Sequence, residues 1–187
     1  RVAPGIDLQS VMVPRREMAQ ELAAGRLDLA LDVQIPAGAD IEQAKVVDAT
    51  LMVLMRRDNP LAAGDLDMAQ YLAARHVLVS SRRRGPGLED FGLAQLGYRR
   101  ELGLRCQHWQ AALEVVASSD LLVTVPDMLA QRLAPPDRFA VRPMPVPLPS
   151  MGLHLYWHRD QSGDEGHRWL REQFLQRLQV AGTGKEE

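Results

Sequence analysis

Short continuous apolar runs alternate along this chain with segments whose apolar positions return at helical spacing. The runs predict strands at about 6–13, 27–33, 44–56, 76–80, 101–106, 121–125, 139–144 and 152–158. The spaced segments predict helices at about 15–24, 66–74, 88–97, 108–118, 127–133 and 164–179. Strands and helices in alternation describe α/β units rather than an all-helical or all-β chain. Local signals agree: Gly25 stands where a helix C-cap is needed, and Pro126 with Asp127 opens a later helix. Trp109, Ala112, Leu113 and Val116 form one apolar stripe on the helix over 108–118, and Leu170, Phe174 and Leu178 form another near the end. Aromatic residues at such spacing, Trp169 among them, read as core.

Two stretches suggest a chain that crosses between lobes. Ala44 to Arg57 is too long for one ordinary strand of about six residues. Pro143, Pro145, Pro147 and Pro149 fall at alternate positions and hold their segment extended. The expected division is 1–53 with 151–180 as the first lobe, 54–150 as the second, and 181–187 as a disordered tail.

Composition narrows the function classes. The 187 residues are 46% hydrophobic and 25% charged, enough for a folded core. A formal net charge of −2 without basic blocks gives no footprint for sequence-specific DNA binding by this segment alone. One cysteine, Cys106, forms no intrachain disulfide, and no apolar run reaches the ~20 residues that span a bilayer. The expected setting is the cytoplasm, since nothing at Arg1 reads as a signal peptide. No nucleophile elbow or phosphate-cradling glycine loop occurs, and the run Arg82 to Arg84 followed by Gly85-Pro86-Gly87 reads as a turn. His154 and His158 share a strand face but sit ~13 Å apart, too far to share one metal. His158 and His167 flank an acidic turn and read as solvated surface residues. Cys106 reads as a small hydrophobe rather than a thiol paired with His108. The expectation is therefore no catalytic residue, no metal and no cofactor.

Polar residues collect where predicted strands give way to helices. The junctions are Pro14-Arg15-Arg16, Ser80-Ser81, Gln107-His108-Trp109 and Thr124-Val125-Pro126. Open α/β sheets bind ligands beyond the carboxyl ends of their strands, where helix N-termini offer unpaired N–H groups. The set describes a cleft between lobes for a small anionic or aromatic molecule.

Several segments resemble the effector domains of LysR-type transcriptional regulators. Ala24-Gly25-Arg26-Leu27-Asp28-Leu29-Ala30 is similar to their Gly-x-Leu-Asp-hydrophobic-Ala step. Arg57-Asp58-Asn59-Pro60-Leu61-Ala62 resembles their His-Pro-Leu-Ala turn, with Asn59 in place of the histidine. Ser118-Ser119-Asp120-Leu121-Leu122-Val123-Thr124-Val125-Pro126 resembles their Ser-Asp-Leu-Ile-x-x-Val-Pro segment. Leu155-Tyr156-Trp157-His158-Arg159 and His167-Arg168-Trp169-Leu170-Arg171 are similar to the closing strand and helix of the branch that regulates nodulation and naphthalene or salicylate breakdown. These matches occur in order along nearly the whole chain.

The resemblance implies two Rossmann-like lobes joined by two crossing strands, the periplasmic-binding-protein type II-like fold. It also implies a winged helix-turn-helix ahead of the chain, a homodimer or homotetramer, and a small-molecule effector in the interlobe cleft that alters DNA contacts. Effector contacts are then expected at Pro14, Arg15, Ser80, Ser81, His108, Trp109, Thr124, Val125 and Pro126. The family also places a strand and a helix before the segment matching Val2 to Val13, so the expectation is a chain that continues upstream. A solute-binding protein of a transport system and an enzyme on a two-lobed scaffold are the alternatives. The first needs an export signal; the second needs a convergent acid and base.

Overall fold

The structure, a computed structural model, describes residues 3–182. The chain divides into two compact units, one built from residues up to 46 together with 153–179, the other mainly from 47–152. It enters the second unit within strand β2 (Ile41–Ala49) and leaves it at the start of strand β8 (Met151–His158).

In the first unit, helix α1 (Arg15–Ala23) buries Met18 and Leu22 at i and i+4. It ends at Gly25, whose φ of +68° is a left-handed conformation that glycine adopts without a Cβ clash. Strand β1 (Ala30–Val33) pairs antiparallel with β8, and the sheet order is β1-β8-β2. Tyr156 of β8 is fully buried, and its hydroxyl donates to the Val33 carbonyl at 2.9 Å while accepting from the Ile35 N–H at 3.0 Å. Helix α6 (Glu165–Gly182) carries two residues that differ from their expected setting. His167 is buried rather than solvated: Nε2 donates to the Asp28 carbonyl at 2.9 Å and Nδ1 accepts from Arg171 at 2.6 Å. Trp169 is half-buried beside an apolar groove rather than enclosed in a core.

Residues 6–13, expected as a strand, form none. Their backbone enters no ladder among the described residues, and Ile6, Leu8, Val11 and Met12 are exposed. An apolar alternation becomes a strand only when a neighbour accepts its backbone groups.

The second unit holds a five-stranded sheet in the order β5-β4-β6-β3-β7. Its strands are β3 (Leu51–Arg56), β4 (Arg75–Val79), β5 (Glu101–Cys106), β6 (Leu122–Pro126) and β7 (Phe139–Pro143). β4 runs parallel to β5 and β6, while β3 is antiparallel to β6 and β7. Helices α4 (Trp109–Ala117) and α5 (Asp127–Leu133) contact the sheet, and Ala112, Leu113, Val116 and Ala130 join Leu54, Val77 and Val123 in one core. Tyr71 of α2 (Met68–Ala73) and Leu93 of α3 (Leu88–Gln95) join Val53, Met55 and Leu122 in another. Neighbours along β3 alternate between the two cores, as the period-2 geometry of a strand requires.

The run 44–56 is two strands rather than one. The break falls at Thr50, whose N–H and hydroxyl both donate to Asp127 Oδ2, at 3.3 and 2.5 Å, while Asp127 N–H donates back to the Thr50 carbonyl at 2.9 Å. These bonds divert Thr50 from the ladder and tie it to the first residue of α5. Two short 3-10 turns, Pro60–Ala63 and Arg159–Gln161, fall where turns were expected around Pro60 and after His158. Asn59 caps the first by accepting from the Leu61 N–H at 2.9 Å.

Candidate functional site

Because β4 lies between β5 and β6 and parallel to both, three strand-to-helix connections leave the sheet at one end. Ser80 follows β4, Gln107 and His108 follow β5, and Pro126 closes β6. The Ser80 N–H donates to the Cys106 carbonyl at 2.9 Å, extending the β4–β5 pairing one step beyond the assigned strand. His108 is the N-cap of α4, exposed and without a side-chain capping bond, so its imidazole is not committed to the helix. Trp109 opens α4 half-buried, one side against the core. The Cys106 thiol lies 3.6 Å from the His108 carbonyl, and partial burial pushes its pKa up, away from the thiolate.

The loop after Ser80 is held by guanidinium groups. Arg105 donates to the carbonyls of Arg82, at 3.3 Å, and Gly85, while the Arg82 side chain donates to the Pro86 carbonyl. Gly85 takes φ +95°, which lets the loop turn, and Ser80 Oγ accepts from the Arg82 N–H at 3.2 Å. Ser80 is half-buried and Ser81 exposed.

Thr124 and Val125 are both buried in the second unit. Val125 is core. The Thr124 hydroxyl is buried 2.9 Å from the Tyr71 hydroxyl, and Arg100 Nη1 reaches both, at 3.3 and 3.2 Å. Arg100, with its side chain 1% exposed, also bonds Asp90 through Nε at 2.6 Å and Glu89 through Nη2 at 2.5 Å. Burial alone would weaken the Arg100 charge, but Glu89 and Asp90 outweigh it and the pKa moves up. Beside this network, burial and then the Arg100 charge push His76 down to about 4, so its ring is neutral; Nε2 donates to the Tyr71 carbonyl at 2.8 Å. Nothing local singles out Arg100, which stands in the polar stretch between the helix expected over 88–97 and the strand expected over 101–106.

Pro14 and Arg15 belong to the first unit, where Pro14 precedes α1 and Arg15 begins it. The Arg15 guanidinium makes a two-pronged pair with Asp32 of β1, both bonds 2.6 Å. That engagement competes with any ligand carboxylate. Among the described residues there is no cluster with the makings of a metal site, and no helix is long and apolar enough to cross a membrane.

This architecture, an α/β chain whose parallel strands β4, β5 and β6 end together at strand-to-helix connections, is of the class that binds small molecules. The chain belongs to the LysR substrate binding domain family, whose family model matches residues 1–179. Its fold is the two-lobed, periplasmic-binding-protein type II-like fold of LysR effector-binding domains. It is 28% identical over 174 residues to the HTH-type transcriptional activator NagR of Ralstonia sp, covering 93% of this chain and 58% of that protein. It is also 28% identical to the activator NahR of Pseudomonas putida, covering 91% of this chain and 57% of NahR. Among solved structures, the transcriptional regulator PA0477 of Pseudomonas aeruginosa superposes with a TM-score of 0.83 at 33% identity, covering 92% of this chain and 57% of that one. The regulatory domain of MexT, a transcriptional activator in the same organism, superposes with a TM-score of 0.75 at 26% identity, covering 85% and 76%. The chain thus spans a little over half the length of NagR and NahR.

Proposed function

We propose that this chain is the effector-sensing domain of a LysR-type transcriptional regulator, and that Ser80, Ser81, His108, Trp109 and Pro126 contact the effector from the second unit. The observation that carries this reading is the convergence of the β4, β5 and β6 carboxyl ends with the free N-terminus of α4. His108 supplies a hydrogen bond, Trp109 a flat apolar wall, and the first turn of α4 N–H groups suited to an anion. Thr124 acts at one remove, through the polar network that anchors β6. Pro14 and Arg15 serve the effector only if Asp32 gives up its pairing.

In this reading the effector is a small aromatic or carboxylate molecule, the regulator works in the cytoplasm as a homodimer or homotetramer, and DNA is bound through a winged helix-turn-helix beyond this chain. The domain binds and signals rather than catalyses. A ligand shifts such a domain only by its difference in affinity between two states, typically ~1–3 kcal/mol of coupling. Calorimetric titration with a panel of aromatic carboxylates tests the site. At least one is expected to bind, with His108→Ala weakening it about tenfold. Equal affinity in folded parent and variant would place recognition elsewhere.

A further inference from the structure

Two arginines of the second unit with restricted exposure are neutralised by carboxylates: Arg100 by Glu89 and Asp90, Arg56 by Asp58 and Asp120. Arg57, which is exposed, and Arg142, which is half-buried, bond backbone carbonyls instead, as Arg105 does. Arg57 donates to the Pro136 carbonyl. Arg142 donates to the carbonyls of Gly64 and Val141, each at 2.9 Å, and to that of Ala62. Carbonyl acceptors fix a guanidinium in place without cancelling its charge, and among the described residues both groups keep N–H donors without a protein acceptor.

The two arginines line a common cavity of about 450 Å³, within the range of small-molecule sites. Its other lining residues are apolar, with Pro136, Ala140 and Val141 among them, and none is acidic. Of the acidic residues adjacent in sequence, Asp58 pairs with Arg56, and Asp137 stands beside Arg138. Four consecutive residues of β7, 139–142, form one wall, and among the described residues β7 is the last strand of its sheet, its outer edge in no ladder. The cavity lies at the opposite end of the sheet from His108 and Pro126. β3 pairs Leu51 with Pro126 at one end and Arg56 with Phe139 at the other.

We propose that this cavity is a second binding site of the domain, for a small organic anion whose charged oxygens meet Arg57 and Arg142 and whose apolar part lies against Pro136, Ala140 and Val141. Two uncompensated guanidinium groups over an apolar floor attract an anion and favour one that also buries carbon surface. The site is separate from the proposed effector contacts and does not depend on them.

Amide-resolved NMR of the isotopically labelled chain tests this, with benzoate and inorganic phosphate as separate probes. Benzoate is expected to give saturable shifts at Ala62, Ala140, Val141 and Arg142, and phosphate weaker shifts at the same amides. Arg57→Gln should weaken the benzoate effect about tenfold while the remaining spectrum stays unchanged. Arg142→Lys, which keeps the charge but loses the forked bonds to Ala62 and Gly64, should weaken it too. No saturable shift there, or equal affinity in Arg57→Gln, overturns the site; phosphate without benzoate overturns the organic ligand. Shifts around His108 report the proposed effector site independently, so failure of one leaves the other readable.

Discussion

In the second unit the five-stranded sheet is covered on both faces by apolar side chains, while the three-stranded sheet of the first is secured by a smaller apolar cluster around Met18, Leu22 and Tyr156. The first unit leans instead on polar fastenings: Arg15 to Asp32, Tyr156 to the Val33 and Ile35 backbone, and His167 between Asp28 and Arg171. Glu42 adds another, accepting from Trp157 Nε1 at 3.0 Å and from Ser162 Oγ at 2.5 Å. The second unit concentrates its buried charge in one place, around Arg100. Its stability therefore depends on a few costly positions, and that of the first unit on many modest ones.

Substitutions sharpen that contrast. The largest effect is expected from Arg100→Ala, which leaves Glu89 and Asp90 partly buried without a counter-charge, at a cost of about 3–5 kcal/mol. Urea denaturation measures it; a loss below about 1 kcal/mol would show that solvent already serves these carboxylates.

Next is a pH effect in the same unit. His76 is neutral in the folded protein with a pKa near 4, below its unfolded value of 6.5. The unfolded chain therefore binds the proton first, and this contribution is complete above pH 6.5 and lost as pH falls towards 4. The full span is about 3 kcal/mol. Melting curves across this window should show a loss that His76→Gln removes, while an unchanged slope in the variant would assign acid sensitivity to other groups.

A smaller effect belongs to the first unit. Tyr156→Phe strands the Ile35 N–H and the Val33 carbonyl and should cost about 1–3 kcal/mol, read as a lower melting temperature. Smallest is Arg15→Ala, which breaks a pair with 42% and 22% side-chain exposure and should cost under about 1 kcal/mol. If it cost more than Tyr156→Phe, the first unit would depend on surface charge rather than on its buried tyrosine.

The elements legible in the sequence are those whose cause is local. The stripe Trp109, Ala112, Leu113, Val116 marks a helix because its own spacing makes one, and Gly25 ends α1 through its own backbone freedom. What escaped depends on distant partners. The strand expected over 6–13 needs a neighbouring backbone, the break at Thr50 is made by Asp127 far along the chain, and His167 is buried because the Asp28 carbonyl and Arg171 receive it. The candidate site divides in the same way. Strand-to-helix junctions located Ser80 and His108, but nothing local announced that Thr124 turns inward to Tyr71 and Arg100, or that Asp32 occupies Arg15.

Promoter response in cells carrying the whole regulator tests the proposal that effector recognition sits at the carboxyl ends of β4, β5 and β6. With His108→Ala and Trp109→Leu combined, the protein is expected still to accumulate and occupy its promoter but no longer to respond to its effector. An unchanged response in that variant would contradict it.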